Sequence, residues 1–533
     1  MFGLMMYRPL LVSSLIAHAD RYHGDTEIVS READGAVHRS NWHQVHRRAR
    51  QLANGLQALG VAPGDRVGTL GWNHHRHLEA YYAISGMGAI CHTINPRLFP
   101  GQIAEIVEHA GDQVLLVDPA FLPLLESLRP ALSGVRHVVV MGACPDNLRT
   151  ILPVMEYETL LAQASDQFFW PDMDERQAAA LCYTSGTTGR PKGVLYSHRS
   201  TLLHAWAVAL PDSLSFSATD VAMPVVPLFH ANAWGFPYAA ALAGSKLVLP
   251  GGFLDGASLY HLMESERVTL TAGVPTVWSQ LMQFLQTEGC TLHHLKRLGV
   301  GGAACPKTLI SYFEDIHRVT VLPGWGMTET SPVAALTLPK AGQKELVGQA
   351  RRDWLARSGR ALFGVEMDIV DDAGQGLPHD GTTRGHLQVR GHWVCNGYYR
   401  EERDPLQEGW FPTGDVAVMD ADGFMQITDR AKDMIKSGGE WISSIELEQV
   451  TTTHPAVQEA AVIAVRHAHW GERPLLLVVL RPEQVLPVEE LQRYLEQRVA
   501  KWWIPEQIEL VASLPHTATG KLNKAALRAE RGL

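Results

Sequence analysis

The sequence has no surplus of positive charge: 46 Lys and Arg stand against 56 Asp and Glu, a formal net charge of −10. A nucleic-acid-binding surface normally needs a basic excess, so that balance argues against a nucleic-acid partner. Cysteine is scarce too. The six (Cys91, Cys144, Cys182, Cys290, Cys305, Cys395) never stand at CxxC spacing, which argues against a disulfide framework and predicts free thiols in a reducing, cytoplasmic setting. No apolar run reaches the length of a membrane span, and stable membrane insertion is not expected. Pro9 to Ala17 is apolar behind Arg8, but Ser13 and Ser14 interrupt it. Asp20-Arg21-Tyr22 follows with no small-residue cleavage site, so an amphipathic first helix is expected there, not a leader. Internal repeats and low-complexity segments are also missing.

Histidine, by contrast, is plentiful at 25. The group His74, His75 and His77 invites a metal reading. It lacks cysteine or carboxylate partners at ligand spacing, so a structural zinc site is not expected.

A chain of 533 residues exceeds what one hydrophobic core usually serves, and more than one domain is expected. Val45, Ala49, Leu52, Ala53, Leu56 and Leu59 recur at helical steps between Trp42 and Leu59, and Gly60 stops them. Apolar segments at Val67 to Leu70, Val114 to Val117, Val138 to Met141, Lys246 to Leu249 and Thr269 to Ala272 read as strands between helices. That alternation predicts an α/β fold with parallel sheets. Beyond Gly364, Glu366 to Val370 and Gly385 to Val389 alternate around turns, which predicts a small antiparallel β region. A compact α+β tail follows, with strands near Ala460 to Val465, Leu475 to Leu480 and Gln507 to Val511 and a helix over Val488 to Lys501. The expected division is a large domain over 1–429 and a small mobile C-terminal domain over 430–533.

The stretch Tyr183-Thr184-Ser185-Gly186-Thr187-Thr188-Gly189-Arg190-Pro191-Lys192-Gly193 is rich in hydroxyls and glycine and includes a lysine. Exposed backbone N–H groups and hydroxyls in such a loop can wrap phosphate oxygens. By composition alone it could equally be a solvated turn, and it is not a GxxxxGK[ST] loop. Four further segments follow in order: Gly324-Trp325-Gly326-Met327-Thr328-Glu329-Thr330; Tyr398 with Trp410-Phe411-Pro412-Thr413-Gly414-Asp415; Asp429 to Glu440; and Pro515 to Lys521. Together the five resemble the motifs of the acyl-adenylate-forming superfamily of acyl-CoA synthetases, luciferases and peptide-synthetase adenylation domains. The likeness extends to the length and organisation of the whole chain, and is greatest to bacterial medium- or long-chain fatty-acyl-CoA synthetases.

The resemblance implies an ATP-dependent ligase that makes an acyl-AMP, releases pyrophosphate and passes the acyl group to coenzyme A. Thr184, Ser185, Gly186, Thr187, Thr188 and Lys192 would hold phosphates, and Glu329 with Thr184 would hold Mg²⁺. Trp325 would face the adenine, Thr328 would add a hydroxyl, and Asp415 with Arg430 would bind the ribose. Gly302, Ala303, Gly326, Met327 and Ile427 would complete the nucleotide site. Lys521 would stabilise charge on the carboxylate and α-phosphate during adenylation. Lys432 would be the hinge of a domain rotation, after which Ser437, Gly438 and Gly439 would line a pantetheine tunnel.

The run Pro227 to Phe236 resembles the acyl-pocket segment of fatty-acyl-CoA synthetases, with His230 near the carboxylate and Trp234 as an aromatic gate. Ala231 stands where amino-acid-activating relatives usually have an Asp, which argues against an α-amino acid. Val274, Gly301 and Gly302, with Ala231, Ala233 and Met327, make a small apolar lining that would stabilise a chain by about 0.8 kcal/mol per buried methylene. A medium-chain fatty acid is the expected substrate; a short-chain or methylthio-alkanoate–CoA ligase, or an acyl-AMP ligase delivering to a carrier protein, is the alternative. No carrier domain with its serine follows Lys521, which argues against delivery to an attached carrier. A homodimer is the family's frequent assembly.

Overall fold

The computed structural model describes residue 1 and residues 3–144, 154–184, 191–437, 440–516 and 522–533. The described residues gather into two compact units. One holds Met1–Thr184, Pro191–Glu366 and Gly391–Pro405; the other holds Met367–Arg390 and Leu406–Leu533.

The first unit contains two sheets. One runs Val154–Glu156, His137–Val140, Asp112–Val117, Arg66–Leu70, Ile90–Thr93, Ala178–Tyr183 and Gly193–Ser197, with only the last pair antiparallel. In the other, Thr320–Gly326, Arg297–Val300, Leu270–Gly273, Val221–Pro224, Lys246–Leu249 and Glu27–Arg31 are parallel. Antiparallel strands flank this parallel run, Val37–Asn41 on one side and Val333–Leu336 followed by Gly359–Ala361 on the other. Parallel strands are covered on both faces, which is why Leu115, Leu116, Val117 and Val138–Val140 form unbroken buried runs. The helix Trp42–Ala58 starts where the Asn41 side chain accepts a hydrogen bond from Gln44 N, and its stripe Val45, Ala49, Leu52, Ala53, Leu56 is fully buried.

The second unit pairs Gly385–Gly391 with Phe411–Met419 and that strand with Phe424–Arg430, all antiparallel. A second small sheet contains Ile435–Ser437, Glu440–Ile442, Val457–His467, Gly471–Leu480 and Gln507–Leu510. The helix expected over Val488 to Lys501 stops at Glu496. Arg498 N and Val499 N both turn onto Leu495 O, and Trp503 re-enters the cluster of Leu491 and Leu495 from a separate turn over Lys501–Trp503. Asp429 and Arg430, the expected boundary, lie on one strand inside this unit.

Candidate active site

Val274, Gly301 and Gly324 stand at the C-terminal ends of three neighbouring parallel strands, registered by Gly273 opposite Val300 and Val300 opposite Pro323. Such strand ends are where open parallel sheets gather ligands. Trp234 lies directly on this edge. A Cβ at Gly301 would sit 2.9 Å from its ring, so only glycine lets the indole rest against the backbone. The neighbour Gly302 has φ +80°.

Trp234 is held there by a left-handed turn. Ala231, Asn232, Ala233 and Trp234 have φ of 42°, 51°, 50° and 54°, ending at Gly235 with φ 81°. Each L-residue so placed costs about 1–2 kcal/mol, and such strain persists only where the surroundings over-determine it. Here Asn232 accepts from the Cys182 thiol at 3.3 Å and donates to the Tyr238 hydroxyl at 3.3 Å. Ala231, Asn232 and Ala233 are buried, while His230, which enters the turn, is half-buried and accepts Ala233 N at its carbonyl. The structure therefore puts His230 and Trp234 on one turn and Trp234 against Gly301, with Val274 at a neighbouring strand end.

The hydroxyl-rich stretch leaves the strand Ala178–Tyr183. Ser185, Gly186, Thr187 and Thr188 lie outside the described residues, but both ends of the loop are placed. Thr184 N donates to Lys192 O at 2.9 Å, and Lys192 N donates back to Thr184 Oγ1 at 3.1 Å. The Lys192 ammonium sits 4.4 Å from the centre of the Tyr398 ring and 3.7 Å from Glu401. The Tyr398 hydroxyl in turn donates to Glu329 Oε1 at 2.8 Å. Burial, and then the charge of Glu329, pushes the Tyr398 phenol well up, so it stays a neutral donor.

Glu329 is 7% exposed, on the short turn Thr328–Thr330 after the strand Thr320–Gly326. Its carbonyl accepts from Cys395 N at 2.8 Å, and Thr328 O accepts from the Tyr196 hydroxyl at 2.6 Å. Burial, then Glu329, lifts the Cys395 thiol to about 12. A β-bulge at Trp325/Gly326 brings the chain so close to Pro332 O that a Cβ at Gly326 would lie 2.0 Å from it. Trp325 and Met327 flank that glycine half-buried.

In the second unit, Asp415 is 3% exposed and its Oδ1 lies 2.8 Å from Arg430 Nε. Thr413 Oγ1 accepts from Asp415 N and donates to Leu387 O. Ile427 is half-buried opposite Ala417. Lys432 is exposed at its surface; partial burial lowers its pKa, opposed by Asp433 and reinforced by Arg430, Arg528 and Lys524. Ser437 is buried and accepts from Arg473 at 3.2 Å. Gly438, Gly439 and Lys521 lie outside the described residues.

The AMP-binding enzyme family matches residues 15–399, and the AMP-binding enzyme C-terminal domain matches residues 446–521. The chain belongs to this family of AMP-binding enzymes. Among curated AMP-binding relatives it is 49% identical over 532 residues to the 3-methylmercaptopropionyl-CoA ligase of Ruegeria lacuscaerulensis, covering 99% of each chain. It is equally 49% identical over 534 residues to the medium-chain-fatty-acid–CoA ligase of Ectopseudomonas oleovorans, covering 100% of this chain and 98% of that one. A solved anthranilate CoA ligase in complex with anthranoyl-AMP matches with a TM-score of 0.87 at 26% identity, over 99% of this chain and 98% of that one.

Tyr398 and Tyr196 touch the candidate site without a role assigned to them from the motifs. Tyr398 stood inside a recognised segment, but its partner Glu329 is 69 positions away in the chain. Tyr196 acts through a backbone carbonyl, which no side-chain pattern records.

Proposed function

We infer that this AMP-binding enzyme is an AMP-forming ligase that joins a fatty acid, of medium chain length, to coenzyme A. The observation that supports it best is Trp234 lying on the bare backbone of Gly301. It puts a small apolar wall at the C-terminal strand ends, next to the turn that contains His230. A carboxylate held there would attack the α-phosphorus of ATP: a C–O–P bond forms, and the bond to pyrophosphate breaks. The thiol sulfur of coenzyme A would then attack the acyl carbon, releasing AMP.

Both partners of the first step are anions, so the main task is to offset negative charge. Thr184, Ser185, Gly186, Thr187, Thr188, Lys192 and Lys521 are assigned to it, and Asp415 with Arg430 to the ribose. Glu329 and Thr184 offer oxygen donors only, a set that fits Mg²⁺. The ion there would neutralise phosphate charge. Tyr398 would orient the Glu329 carboxylate through its 2.8 Å hydrogen bond. Lys432 is assigned as the hinge between a domain over 1–429 and one over 430–533, and Ser437, Gly438 and Gly439 to the thiol's path.

The reading includes a reducing, cytoplasmic setting, supported by six free cysteines, and a homodimer, which light scattering would test. A methylthio-alkanoate is the second reading for the acid, because a relative of equal identity has that specificity in its name. The test is AMP and pyrophosphate release with ATP, Mg²⁺ and coenzyme A across straight-chain acids and 3-methylthiopropionate. A coenzyme-A-dependent maximum at medium length is expected. A maximum at three carbons or at the thioether acid would overturn the chain-length assignment, and release that ignores coenzyme A would overturn the ligase itself.

A further inference from the structure

The sequence run His74-His75-Arg76-His77 does not act as one group. His74 Nε2 pairs with Asp118 at 2.6 Å, and His77 Nε2 meets Thr69 Oγ1 at 2.9 Å. His75, the first residue of the helix His75–Gly86, turns instead to the edge hairpin Glu27–Arg31/Val37–Asn41. Its backbone N donates to Ser30 Oγ at 3.0 Å, and Ser30 is the cross-strand partner of His38. That places the His38 and His75 rings face to face, 3.9 Å between centres and 17° from parallel. Glu32, one residue beyond the first strand, completes the group: one ligand atom from each of the three lies within 4.8 Å of the others.

We propose that Glu32, His38 and His75 form a binding site for a divalent transition metal of the zinc class, fastening the edge hairpin to the start of the helix His75–Gly86. Four features argue for it. First, the donor set is two imidazoles and a carboxylate, a zinc set with a fourth position left for water. Second, Glu32 Oε1 and His75 Nδ1 are 3.1 Å apart, near the roughly 3.3 Å that separates two ligands bonded at about 2.0 Å to one tetrahedral ion. Third, Glu32 Oε1 is buried and, among the described residues, has no well-formed hydrogen bond, its nearest polar neighbour being His75 Nδ1 at 3.1 Å. A buried carboxylate oxygen in that state needs a cation or a donor. Fourth, the surrounding network has charge to spare. Among the described residues, Glu32, Glu79 and Glu158 share the guanidinium groups of Arg48 and Arg76, three negative groups against two fixed positive ones, with a neutral His75 and the Tyr157 hydroxyl as further neighbours, which leaves charge for an ion to offset.

Half-exposed His38 would have to turn out of its stack on His75 for both rings to point a nitrogen at one ion.

The experiment is Zn²⁺ titration of the metal-stripped full chain against a chromophoric chelator, with His38→Ala and Glu32→Gln alongside. Each variant is first shown to unfold thermally near the wild type without metal. Wild type is expected to take up one zinc more than either variant, and to gain thermal stability from it that both variants lose. Co²⁺ in the wild type should give intense visible bands of a tetrahedral site, absent from both variants. Equal zinc stoichiometry in all three proteins, or a wild-type Co²⁺ spectrum with only weak octahedral bands, would overturn the site. Sites elsewhere, including any ion at Glu329, are present in all three and cancel.

Discussion

Arg430 Nε lies 2.8 Å from Asp415 Oδ1, and the two residues face each other as register partners on neighbouring antiparallel strands. One side of the guanidinium is thereby fixed by a buried carboxylate, and the rest of its planar fork is aimed. Arg430→Lys keeps the charge and loses the fork. An increase in KM for ATP of about 10-fold is expected, and one of about 10- to 100-fold for Asp415→Ala, the range for a lost hydrogen bond to a charged group. Steady-state kinetics checks it; a fall in stability with KM for ATP unchanged would make the pair purely structural.

Tyr398→Phe removes the hydroxyl that holds Glu329 and leaves the ring under Lys192 in place. Losing a hydrogen bond to a carboxylate costs about 1.5–3 kcal/mol, so the adenylation rate should fall by roughly 10- to 100-fold. Glu329→Gln should fall further. Acid-dependent pyrophosphate exchange into ATP measures both, and an unchanged rate in Tyr398→Phe would show that Glu329 is oriented by other groups.

Gly301→Ala places a methyl where the Trp234 ring already lies 2.9 Å away. The indole must shift into the space assigned to the acyl chain, so the preferred acid should shorten by about one or two methylenes, each worth about 0.8 kcal/mol. Competition among straight-chain acids reads this out as a changed ratio of kcat/KM values. An unaltered chain-length profile would place the acyl chain elsewhere.

Three buried histidines predict an acid limit to stability. Burial lowers His77 and His198 to about 4 and His204 to about 3, from an ordinary 6.5. The unfolded chain binds protons at these sites below 6.5 and the folded protein does not, so stability is complete above that pH and declines as pH falls toward 4. At pH 5 each should cost about 2 kcal/mol relative to pH 7. Urea unfolding at the two pH values measures it. A pH-independent midpoint would mean that the three are already accessible to protons in the folded state.

Local and periodic features were legible from the sequence. The stripe from Val45 to Leu56 and the strand Lys246–Leu249 fell where expected, because burial on one face or both writes itself into residue order. The helix after Val488 was overextended because its end depends on Trp503 returning to a cluster that local pattern does not reveal. Among site residues, Glu329 and Asp415 could be picked from motifs, and both prove buried. The left-handed turn through Ala231-Asn232-Ala233-Trp234 left no mark, since none of these residues favours positive φ. It is imposed by partners such as Cys182 and Tyr238, which no local window contains. The same holds for His75, whose partners Ser30 and Glu32 come from the edge hairpin, outside any local window.

The segment Gly391–Pro405, which contains Tyr398, belongs to the first compact unit although the chain on either side of it belongs to the second. Cutting the polypeptide where the first family match ends, at Tyr399, would strand Gly385–Gly391 without its partner Phe411–Met419. The border drawn by sequence similarity is therefore not a border for folding. Neither half produced by that cut has all the strands it needs, and swapping C-terminal parts between related enzymes should work only at junctions that respect the crossings at Glu366/Met367, Arg390/Gly391 and Pro405/Leu406.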